Sequence, residues 1–111
     1  MSYRDIDALT NDVLFAGRVR ACAMQEAEKF KDDARPRFVA LAADVARGGG
    51  PTTLAFVRIV AAAPGIADKA ATGDGIDQTR VTDADLLSLV QAQWEVVAGL
   101  YFDEDGKPKE V

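Results

Sequence analysis

The sequence predicts an all-α fold: a small bundle of four to five helices with a long central helix, a mobile loop and an extended C-terminal tail. Three observations carry that expectation. Apolar residues recur at steps of three and four along most of the chain, which is the spacing of one helix face. Capping and stop residues bracket the periodic segments. The length of 111 residues, 49% hydrophobic and 28% charged, fits a single domain over residues 1–111 with one core.

Each element follows from its local residues. Ser2, with Asp5 three positions on, is expected to cap a first short helix over residues 3–9. Thr10 or Asn11 offers the next cap. Phe15, Val19, Cys22, Ala23, Ala27 and Phe30 then share one face of a long helix ending near Asp32, the expected backbone of the fold. Asp33 and Pro36 open a third helix with Phe38, Leu41, Ala42 and Val45 inward, closing at Gly48. The run Gly48, Gly49, Gly50, Pro51 is a candidate hinge, after which Thr52 or Thr53 caps a helix with Leu54, Val57, Val60 and Ala61 on one side. "PGIADKAATGDGIDQTRV" has no sustained period, so residues 65–81 are expected to form a mobile loop. Thr82 caps the last helix, with Asp83 and Asp85 placed against its N-terminal dipole. Its inward stripe is Leu86, Leu87, Val90, Trp94 and Val97, and Gly99 is the expected stop.

Trp94 at helical spacing reads as a core anchor or an interface residue, and Leu100, Tyr101 and Phe102 follow the expected stop. Those three either fold back onto the bundle or dock on a neighbouring subunit, so Trp94, Leu100, Tyr101 and Phe102 form the candidate interface. Residues 103–111 read as a flexible charged tail.

Composition narrows the chemistry. The formal net charge of −5 and the pI near 4.6 oppose a general nucleic-acid surface. The basic stretch from Arg18 to Arg37 is interleaved with Glu26, Glu28, Asp32 and Asp33, the pattern of a solvated helix face. Apolar runs are too short for a membrane span, and the N-terminus carries acids where a signal peptide needs bases, so neither export nor membrane insertion is expected. Cys22 is the only cysteine and there is no histidine, which removes a Cys-His nucleophile and the usual zinc sites. "RGGGPTT" lacks the Lys-Ser or Lys-Thr of a nucleotide loop, and "TGDGIDQ" and "FDEDGKP" lack the calcium-loop ligand pattern. Asp83 and Asp85 are explained by capping. The expectation is a non-enzyme without cofactor, metal or small-molecule substrate.

"MSYRDIDALTNDVLFAGRVRACAMQEA" and "VTDADLLSLVQAQWEVVAGLYFDEDGKPKEV", together about half of the chain at its two ends, resemble small helical structural proteins of tailed bacteriophages, especially those infecting actinobacteria. That set includes head-tail connector, or adaptor, proteins. In them a "TND"-type segment leads into an Arg-containing helix, and a "TD" cap leads into a "LLSLVQAQW"-like helix with a tryptophan near its end. The resemblance implies a virion protein assembled in the bacterial host cytoplasm, a homo-oligomeric ring that is commonly about twelve-fold, and a place joining the portal to tail-proximal connector proteins. An acidic channel wall would give only passive contact with packaged DNA, repelling it. A minor capsid or decoration protein and a helical protein-binding module are the competing expectations.

Overall fold

The computed structural model describes residues 4–72 and 75–110 and is all-α. Its helices are α1 (Arg4–Thr10), α2 (Val13–Ala27), α3 (Pro36–Arg47), α4 (Pro51–Ala61), α5 (Ile66–Ala70) and α6 (Asp83–Tyr101). The β-structure among the described residues is a two-residue antiparallel ladder, β1 (Ala71–Thr72) with β2 (Gly75–Ile76), and an isolated antiparallel bridge between Phe102 and Pro108. The expected Ser2–Asp5 cap lies outside the described residues and side chains.

The first junction is tighter than the sequence suggests. Thr10 and Asn11, expected to cap the second helix, instead close the first: the Thr10 hydroxyl donates to the Ile6 carbonyl at 2.7 Å and the Asn11 amide to the Asp7 carbonyl at 2.9 Å. These bonds occupy carbonyls that a helix end leaves unpaired. Asp12 is the N-cap of α2, its Oδ1 accepting from the Leu14 and Phe15 amides at 3.0 and 3.1 Å. A carboxylate also meets the positive end of the helix dipole, so it outcompetes its neutral neighbours.

Helix α2 stops at Ala27 and narrows into a 3₁₀ turn over Glu28–Phe30, short of the expected end near Asp32. The Asp33 carboxylate takes the Arg35 amide at 2.8 Å, and Pro36 starts α3 at its first position, so the chain between the two helices is committed to a turn. The long central helix is therefore α6, not α2. It has 19 residues, about 28 Å at 1.5 Å per residue, and packs on α2, α3 and α4.

The α3–α4 connection is stitched in place. Gly48 sits at φ 71° and ψ 158°, a region open in practice only to glycine, and its amide closes α3 onto the Asp44 and Val45 carbonyls. Arg20 reaches across from α2 to donate to the Val45 and Ala46 carbonyls at 3.3 and 2.9 Å. A Cβ on Gly48 would stand 2.8 Å from the Arg20 Nε. Gly50, not Thr52 or Thr53, is the N-cap of α4, and Pro51 is its first residue. The buried Thr53 hydroxyl donates to the Asp44 carbonyl at 3.2 Å. The expected inward face of α4 is rotated: Thr53, Phe56, Val57, Val60 and Ala61 are buried, whereas Leu54 is 51% exposed. Phe56 sets this phase by meeting Trp94 edge-on, with ring centroids 5.7 Å apart.

Within residues 65–81, expected as a mobile loop, the described residues form short elements. Gly65 at φ 83° turns the chain into α5, which buries Ile66, Ala67 and Ala70. The short ladder and a 3₁₀ turn over Gln78–Arg80 follow, and Val81 is buried before α6 begins. Alanine-rich α5 is too short to show a period, which is why pattern reading misses it. Thr82 and Asp85 form a reciprocal capping box, Asp85 amide to Thr82 hydroxyl at 3.1 Å and Thr82 amide to Asp85 carboxylate at 3.2 Å.

Helix α6 runs through Gly99 and ends at Tyr101, so Gly99 is no stop; intact packing on both sides outweighs the modest helix penalty of one glycine. Phe102 adopts an extended backbone and tucks into the core. Residues 103–110 return along the helix end rather than extending away: the Asp103 amide donates to the Lys107 carbonyl and the Lys109 amide to the Tyr101 carbonyl, each at 2.9 Å. The Asp103 carboxylate also takes the Asp105 and Lys107 amides at 2.9 and 3.0 Å. Gly106, at φ 80°, presses on Pro36, where a Cβ would come within 2.8 Å of the Pro36 carbonyl oxygen.

One apolar cluster runs through all of this. Its centre is Trp94, stacked on Phe30 at 5.6 Å and edge-on to Phe56, with Phe30 in turn stacked on Phe38 at 5.2 Å. Phe15, Leu41, Leu86, Val90 and Val97 fill the remainder.

Candidate interaction surfaces

The four candidate interface residues separate. Trp94 and Phe102 are buried in the chain's own core and Tyr101 is half-buried, leaving Leu100, 57% exposed, as the only one open to a partner. Placing Tyr101 inside the last helical turn, and Phe102 just beyond it, seals the aromatics against the bundle. The candidate hinge residues Gly48, Gly49, Gly50 and Pro51 come together as the α3–α4 connection. The Asp44 carboxylate, held by Arg47 at 2.7 Å, stands beside Gly50, where a Cβ would lie 3.3 Å from its Oδ1.

What the structure exposes is elsewhere. On the outer side of α2, Val13 is 83% and Leu14 73% exposed, and Gly17, Ala21 and Met24 continue the same side of the helix. At 100° per residue, Val13, Gly17, Ala21 and Met24 form a single stripe opposite the buried Phe15, Val19 and Cys22. The two arginines of α2 are drawn off this stripe. Arg20 binds the end of α3, while Arg18 donates to the Asp83 carboxylate at 2.8 Å and to the Val81 carbonyl. A second stripe runs along α6 through Ala92, Val96 and Leu100, with Val96 50% exposed and the half-buried Leu89, packed against the core, at its start. Of these residues the sequence singled out only Leu100, because the inward faces alone were traced and Val13, Leu14, Met24 and Val96 were given no surface role. The available signal was that α2 has apolar or small residues on every side and no acid before Glu26.

Two shallow grooves flank the Arg18–Asp83 pair. One, about 490 Å³, is lined by Leu14, Arg18, Thr79 and Val81; the other, about 380 Å³, by Ala21, Cys22, Gln25 and Leu87. Burial, reinforced by the nearby Asp83 charge, pushes the Cys22 thiol above its ordinary value, with Arg18 partly opposing, so the thiol stays protonated and unreactive. Glu26, the buried carboxylate of α2, is held by Lys29 at 2.8 Å and by the Gln91 amide at 3.2 Å, tying α2 to α6.

Three half-buried carboxylates titrate low. Asp33 is lowered chiefly by hydrogen bonds from the Arg35 side chain and backbone, Asp77 by those from Thr79, and Asp85 by Lys69 and then Thr82. All three serve turns or helix starts. Asp83 and Asp85, the carboxylate pair of the sequence, are engaged separately with Arg18 and Lys69.

Among the described residues no cluster of three or more His, Cys, Asp or Glu side chains is disposed to hold a metal ion, and no helix is long and apolar enough to cross a membrane. Fold and surface together define a small all-helical protein with two uncharged helix stripes exposed. No protein-family model, curated protein or solved structure matches this chain.

Proposed function

We propose that this chain is a structural assembly subunit of a tailed-bacteriophage virion, a head-tail connector whose copies form a ring between the portal and the tail. The observation that supports an assembly role is the exposure of large apolar side chains, Val13 and Leu14 on α2 with Val96 and Leu100 on α6, outside an already filled core. Single exposed apolar residues are ordinary, but aligned along two helices they are the kind of surface that a partner covers. The phage assignment rests on the resemblance of the two ends of the sequence, and the ring on the symmetry usual for such relatives.

Function in this reading is mechanical. The capped junctions, the Arg20 clasp and the C-terminal return fix the relative placement of helices, so the stripes are presented on a rigid body and little ordering entropy is lost on docking. The net charge of −5 would discourage packaged DNA from adhering to a channel wall. Quantitative mass spectrometry of purified virions tests the assignment: about a dozen copies per particle supports a single-vertex ring. Hundreds of copies would instead make it a decoration or minor capsid protein of the shell. Absence from particles would overturn the virion reading and leave a helical binding module.

A further inference from the structure

We draw no further inference here: the strongest candidate, the pair of shallow grooves that flank the Arg18–Asp83 ion pair between α2 and the start of α6, with Cys22 lining one of them, carries nothing because nothing in the structure shows what covers it.

Discussion

Replacing Trp94 by phenylalanine should cost almost nothing, although Trp94 is the largest side chain in the core. Its indole N–H is buried and has no hydrogen-bond partner, so the folded state carries a desolvated donor that unfolding would return to water. Relief of such a group is worth about 1–3 kcal/mol. Against this, Trp94→Phe removes about 40 Å² of apolar surface, worth about 1 kcal/mol. It also leaves about 40 Å³ of space, worth about another 1 kcal/mol at 24 cal/mol per Å³. The terms cancel to within about 1 kcal/mol, and the phenyl ring can keep the stack on Phe30 and the edge contact with Phe56. Trp94→Ala has no compensating ring and should lose about 3–5 kcal/mol. Urea denaturation followed by far-UV circular dichroism measures both, since Trp94 is the only tryptophan and the phenylalanine variant has no indole fluorescence. A loss above about 3 kcal/mol for Trp94→Phe would refute the reasoning, because it would mean that the N–H has a partner whose loss is being measured.

Glycine positions should divide by sign: Gly48→Ala, strained in φ and driven into Arg20, should lose about 2–3 kcal/mol, whereas Gly17→Ala should gain about 0.5–1 kcal/mol from helix propensity, both read from urea midpoints. Phe102→Ala should lose about 3 kcal/mol and expose residues 103–110 to hydrogen exchange, which would be fast already in the native chain if that segment did not return along α6. In acid, the folded state holds Asp33, Asp77 and Asp85 deprotonated below the pH at which the unfolded chain protonates them. Their contribution is complete above about pH 4 and is lost as pH falls through the lowered folded-state values, so the thermal midpoint should drop there. Cys22 has the opposite sense: its folded-state value is raised, the unfolded thiol ionises first, and stability should fall as pH rises past 9.0, with alkylation near pH 8 waiting on unfolding.

Much of the fold was legible because helix periodicity and caps are local properties. Thr82 with Asp85, Pro36 at the head of α3, and the inward faces of α2, α3 and α6 needed only residues a few positions apart. Some errors are local, such as Asp12 rather than Thr10 or Asn11 capping α2, and others lie where a distant partner decides. Leu54 faces out because Phe56 is drawn to Trp94; residues 103–110 return because Gly106 can press on Pro36 and Asp103 gathers two amides. Neither relation has a spacing that a single sequence displays.

The same distinction explains why the candidate interface moved from the aromatics to the stripes. Trp94 and Phe102 attract attention because large rings anchor interfaces, yet large rings are also what a small core needs most, and this core takes both. Exposed surface has to be inferred from what the core leaves over. Here that remainder includes a bare glycine with no internal neighbour, an arginine on the same side of α2 diverted to another helix end, and apolar side chains in line with both. Arg20 matters most in this respect. By clasping the α3 terminus it both fixes the Gly48 connection and clears charge from the outer side of α2, so Arg20→Ala should loosen the α3–α4 junction while leaving the stripe uncharged. Arg20→Glu, which the α3 carbonyls would repel, should place a free charge beside Gly17. Association should then tolerate the first change and not the second, a difference in sedimentation behaviour that stability alone would not produce.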